Sequence, residues 1–168
     1  MVLRYGDIKR LDLYWQLLSE LKRDCRLKCA AITCEDGIAG ECAGKVDVCL
    51  LRPTSAEMKD LFSRSKVFVL LSEREGFGLP PLEAMGTGCV PVCRDSGGVH
   101  CYMKDNLVDN LFPLDAPMAT LAKRILELVS DSDLLQALAD EATRIFHEGE
   151  RRAREERERA WDLFKAKG

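Results

Sequence analysis

An α/β protein with a Rossmann-like, doubly wound and mostly parallel sheet is predicted by three features of this 168-residue chain. Strand-like apolar runs alternate with helix-period segments from end to end, the rhythm of repeated βαβ units. One run, Val67–Leu71, is continuously apolar, as expected of a strand covered by helices on both faces. A glycine-bearing turn follows it directly and leads into a helix start. In doubly wound sheets, ligands bind beyond the carboxyl ends of the strands, where this turn falls.

The elements follow in order. Val2–Arg4 reads as a short strand and Tyr5–Arg10 as the loop leaving it. Leu11–Leu27 is expected to be helical, because Tyr14, Leu17, Leu18 and Leu21 fall at i, i+3, i+4 and i+7. Cys29–Thr33 is a buried strand, and Glu35–Lys45 a glycine-bearing connection with at most a brief helix. Val46–Leu51 is the next strand. Thr54 and Glu57, after Pro53, form a capping-box signature opening a helix to about Ser65. After Val67–Leu71 and its turn come strands at Val90–Cys93 and Leu111–Pro113, then helices over Pro117–Val129 and Ser132–Phe146. The closing run Glu148–Arg159 balances five Glu against five Arg, with Glu148/Arg152 and Arg151/Glu155 at i, i+4. Such pairs support a solvated helix.

Composition narrows the class. With 46% apolar and 32% charged residues, the chain suits a soluble globular protein and a single domain over residues 1–168. A net charge of −3 and a pI near 5.5 argue against nucleic acid or an anionic membrane surface as partner. No apolar run approaches a membrane span, and the N-terminus lacks a signal-peptide pattern. The eight cysteines contain no C-x-x-C pair and several sit in apolar runs. They read as buried, reduced thiols of a cytoplasmic protein, not as a zinc site or disulfides.

The chemistry concentrates in Glu75-Gly76-Phe77-Gly78-Leu79-Pro80-Pro81-Leu82-Glu83. Gly76 and Gly78 let the backbone approach a ligand without side-chain obstruction. Pro80 and Pro81 suit the opening turn of a helix. A helix start offers free N–H groups and a positive dipole end to a phosphate. The two carboxylates would face one crevice.

This run continues as Ala84-Met85-Gly86-Thr87-Gly88 and is followed by a Pro91-Val92 strand and Gly97-Gly98. So written, it resembles the donor-binding motif of retaining family 4 glycosyltransferases. The resemblance covers nearly the whole chain, as the C-terminal half of the GT-B architecture, in which two Rossmann-like domains enclose the active site. It implies transfer of a hexosyl group from a UDP-, GDP- or ADP-sugar to a glycan, lipid or small-molecule acceptor, with no metal or other cofactor. By resemblance, Arg4 and Lys9 match the pair that holds the leaving diphosphate. Glu75 matches the first Glu, beside the donor sugar, and Glu83 the second, which accepts from the ribose hydroxyls. Gly76, Phe77, Gly78 and Leu79 match the turn whose backbone reaches the sugar and phosphates.

The resemblance also implies what is missing. The acceptor-binding N-terminal domain is absent, and peripheral membrane association would come only through a full-length protein. The helix over about 148–166 would pack back toward that domain. Between Thr33 and Val46 the chain departs from the family pattern, carrying Gly37, Gly40 and Gly44 in a short segment, so the nucleotide base is left open. Two alternatives stand beside this reading. One is the equivalent half of a GT-B-like nucleotide-sugar epimerase or phosphorylase, for which no extra catalytic residue or cofactor lysine is evident. The other is a non-catalytic association module, which would have no need of Arg4, Lys9, Glu75 and Glu83 together.

Overall fold

In chain order, β1 (Val2–Leu3), α1 (Leu11–Leu21), β2 (Ala30–Thr33), α2 (Asp36–Cys42), β3 (Val48–Leu51) and α3 (Ser55–Ser63) form the first half. The second comprises β4 (Val67–Leu70), α4 (Leu79–Met85), β5 (Val90–Arg94), β6 (Leu111–Phe112), α5 (Met118–Ser130) and α6 (Ser132–Lys165). The structure, a computed structural model, describes residues 1–3, 6–23 and 27–165, with the side chains of 2, 7 and 160–165 outside that description. Arg4 and Cys25 therefore lie outside the described residues.

All strand pairings are parallel, as the alternation predicts, but the described strands form two three-stranded sheets, β1-β2-β3 and β4-β5-β6. At the seam between them, the Leu71 N–H just past β4 donates to Tyr14 Oη at 3.0 Å. Glu73 N–H donates to the Ile8 carbonyl at 2.8 Å one step further on. Tyr14 is fully buried, and desolvation raises its pKa, so it stays a neutral phenol. The core itself is continuous across the seam, joining Leu3 and Ile32 of one sheet to Phe68 and Val92 of the other.

Local chemistry sets most boundaries. Thr54 Oγ1 accepts from the Glu57 N–H at 3.3 Å while Glu57 Oε2 accepts from the Thr54 N–H at 2.8 Å, the expected reciprocal cap on α3. α1 stops at Leu21, short of the expected Leu27, because the apolar stripe ends there and Lys22 and Arg23 form a turn. β6 ends at Phe112, since Pro113 has no N–H for a ladder. The largest difference is α6, one 34-residue helix where a helix to Phe146 and a separate charged stretch were expected. Arg144 spans that boundary, reaching Glu141 at 2.7 Å and Glu148 at 2.6 Å. Two short 3-10 turns, Gly98–Cys101 and Asp105–Asn110, carry no periodic signal and were not anticipated.

A cavity of about 800 Å³ opens between the amino ends of β2 and β4, with Leu17, Leu21, Phe62 and Ile125 in its wall. It lies at the end of the strands opposite the glycine turn.

The described cysteines are all free thiols, but not all are buried: Cys34 and Cys101 are exposed, whereas Cys42, Cys89 and Cys93 are enclosed. Burial pushes the Cys89 thiol from its ordinary 9.0 to about 12. The Cys42 thiol also rises to about 12, first through burial and then through its neighbour Cys49. A folded-state pKa above the unfolded one means that the native state holds the proton longer. Each thiol's contribution is therefore intact below pH 9 and is lost as pH rises toward 12. Denaturant midpoints measured between pH 7 and 11 are expected to fall above pH 9. A thiol reagent at pH 8 should label Cys34 and Cys101 well before Cys89.

Candidate active site

The glycine turn sits at the carboxyl ends of β4 and β5. Lys9 reaches it from a 3-10 turn, Asp7–Lys9, after β1. Its Nζ lies 2.6 Å from Glu75 Oε1, joining residues 66 positions apart. The Glu75 side chain is 15% exposed and that of Lys9 35%, so the pair stands at the rim of the site, partly shielded from water. A partly desolvated pair of this length is a charge-assisted hydrogen bond, roughly twice as strong as a neutral one. Neighbouring Arg10 is already committed: it grips Asp12 at 2.8 Å and Glu73 at 2.5 Å, and those contacts raise its pKa. It holds a left-handed φ of 51° at the start of α1. Arg10 thereby ties the loop before Glu75 to the helix after Lys9.

The turn is gripped from behind by the segment after β5. Glu75 N–H donates to the Ser96 carbonyl at 2.9 Å, and Gly98 N–H donates to the Glu75 carbonyl at 3.1 Å. Together they make an isolated parallel bridge between Glu75 and Gly97. Gly97 takes φ 89° in this bridge. Gly98 is required by contact instead, because a Cβ there would lie 2.4 Å from the Gly76 oxygen. One residue with no expected role completes the grip. Tyr102 Oη donates to the Gly78 carbonyl at 2.7 Å, and its ring meets Phe77 edge to face at 5.9 Å. Gly78 holds φ 75°, ψ 60° and caps α4.

α4 begins at Leu79 with Pro80 and Pro81 in its first turn, as the sequence predicts. The two prolines remove two of the N–H groups a helix start normally offers, so among positions 79–81 only Leu79 donates. Glu83 lies within α4 and is exposed; Phe77 and Leu79 are exposed at 42% and 58%. The structure thus brings Lys9, Glu75 and the Gly76–Leu79 backbone together, with Glu83 standing on the following helix. His100 is exposed and pairs with Asp95 at 2.7 Å.

Arg94, at the end of β5, is 3% exposed. Its Nη1 donates to the Leu71 carbonyl at 3.3 Å, while its Nε has no partner among the described residues. Burial and then the nearby charge of Arg10 lower its pKa. It falls just past the expected strand Val90–Cys93, where nothing in the sequence marks a buried cation. Among the described residues, no group of three or more His, Cys, Asp or Glu could hold a metal ion, and no helix is long and apolar enough to cross a membrane.

Parallel sheets wound with helices, and a glycine turn and cation gathered at the strand ends, define the C-terminal half of a GT-B glycosyltransferase fold. Residues 35–145 match the model of the family described as glycosyl transferases group 1. The chain belongs to that family, and it is a glycosyltransferase domain. It is 42% identical over 112 residues to a protein carrying the name glycosyltransferase 41 from Sulfolobus islandicus filamentous virus (isolate Iceland/Hveragerdi), covering 67% of this chain and 29% of that protein. TarM superposes with a TM-score of 0.73 at 24% identity, over 88% of this chain and 31% of its own. The catalytic domain of cholesterol-α-glucosyltransferase from Helicobacter pylori superposes at 0.68 and 16% identity, over 88% and 95%. The chain spans less than a third of the viral relative and of TarM.

Proposed function

We propose that this chain is the donor-binding half of a retaining, family 4-type glycosyltransferase that moves a hexosyl group from a nucleotide sugar. The observation that carries the reading is the meeting of Lys9 and Glu75 at 2.6 Å beside the glycine turn. In this reading Lys9, with Arg4, neutralises the leaving diphosphate, a task that fixed cations perform by matching charge as it develops. Glu75 lies against the donor sugar and stabilises the electron-poor anomeric carbon as the bond to phosphate breaks. Glu83 accepts from the ribose hydroxyls, which an acceptor-only carboxylate suits. The Gly76–Leu79 backbone holds the sugar and phosphates. The acceptor-binding site comes from the remainder of a longer polypeptide, consistent with the small share of its relatives that the chain spans. A structure of a pneumococcal O-GlcNAc transferase, similar at a TM-score of 0.68, contains UDP and GlcNAc, which favours a nucleotide-sugar donor here as well.

A melting panel of UDP, GDP and ADP with their sugars tests this reading. One nucleotide is expected to raise the melting temperature, with about 2.7 kcal/mol of added stability at a hundred times its Kd. Glu83→Ala should abolish that gain. Indifference of the unaltered chain to all three would overturn the assignment.

A further inference from the structure

Leu79 is the only residue among positions 79–81 with an N–H to give, so the direction of that one bond matters to any anion at the turn. A trans peptide points its C=O and N–H in opposite directions, and no peptide bond among the described residues is cis. The Gly78 carbonyl, which shares its peptide with the Leu79 N–H, is drawn toward the interior by Tyr102 Oη at 2.7 Å. The Leu79 N–H then points the opposite way, away from Tyr102. The same logic holds one turn earlier. Gly98 N–H holds the Glu75 carbonyl at 3.1 Å, which turns the Gly76 N–H away from the Gly97–Gly98 segment. Two backbone donors are thus presented on the side away from the segment that grips the turn.

Tyr102 is built for this one contact. It is 2% exposed, its ring is braced against Phe77, and a Cβ on Gly78 would fall 2.6 Å from its hydroxyl. Burial raises its pKa, so the hydroxyl keeps the proton it donates. We propose that Tyr102 is a positioning residue for the donor diphosphate, fixing the Gly78–Leu79 peptide so that the Leu79 N–H meets a phosphate oxygen. This rests on the donor-binding reading and adds to it a residue outside the motif.

Tyr102→Phe removes the hydroxyl and keeps the ring. UDP, GDP and ADP are titrated calorimetrically into the 168-residue chain and into this variant, below the melting midpoint of both, together with the nucleoside of the base that binds. The variant is expected to bind the diphosphate roughly fivefold more weakly, the worth of one ordinary hydrogen bond, with nucleoside affinity unchanged. A purely structural role would weaken both together or neither, and either result overturns the proposal. If the unaltered chain binds none of the three diphosphates, the donor reading falls and this proposal with it. If it binds one and Tyr102→Phe binds it equally well, only the role of Tyr102 is refuted.

Discussion

Glu75→Gln is expected to tighten nucleoside diphosphate binding while transfer collapses. The Glu75 carboxylate accepts from Lys9 at 2.6 Å, so a diphosphate must compete for the ammonium. Removing the negative charge frees Lys9, and affinity should rise about two- to fivefold, the range of a partly exposed ion pair. Transfer in a full-length protein should fall by about two to three orders of magnitude, the usual cost of losing one electrostatic contact to the transition state. Lys9→Met is the matching control, in which binding and transfer both decline. Titration of the nucleoside diphosphate and initial rates on the same preparations separate the two effects. Equal affinity in the wild type and Glu75→Gln would show that the ion pair does not gate the site.

Gly98→Ala is expected to be the most damaging single methyl group in the protein. The new Cβ would lie 2.4 Å from the Gly76 oxygen, 2.5 Å from its carbonyl carbon and 2.6 Å from the Phe77 nitrogen. All three are backbone atoms of a turn pinned by the Glu75–Ser96 and Gly98–Glu75 hydrogen bonds, so no side chain can swing aside. Overpacking of this kind costs about 1–3 kcal/mol or more, and in a chain of this size each kcal/mol lowers the midpoint by about 2–4 °C. The turn must also leave Glu75, so nucleotide binding should suffer beyond the loss of stability. Gly149→Ala provides a contrast of opposite sign. It faces open space in the interior of α6, where alanine should stabilise by up to about 1 kcal/mol. Melting curves of both variants check the pair.

Where the information was local, the sequence could be read directly. The cap on α3 needs only Thr54 and Glu57, three positions apart, and α4 announces itself through Pro80 and Pro81. The order of strands and helices followed from periodicity alone. What escaped depends on separation in the chain. That Tyr14 satisfies the Leu71 N–H is a contact across 57 positions. The Tyr102 hydroxyl finds Gly78 across 24, from a turn without periodic signature. Arg94 drew no attention in the sequence, because nothing in its neighbours says that its guanidinium is enclosed. Lys9 and Glu75 were nominated separately on resemblance; their direct pairing is a fact of the fold.

The long final helix behaves differently along its length. At 34 residues it extends about 50 Å, and its first turns are sewn to α4, α5 and β5 through Leu138, Ala142 and Ile145. From Glu148 to Arg159 nearly every side chain faces water, leaving that stretch to alternating charge for its cohesion. Ionic strength should therefore unwind the molecule from this end first, a fraying that leaves the melting of the sheets untouched.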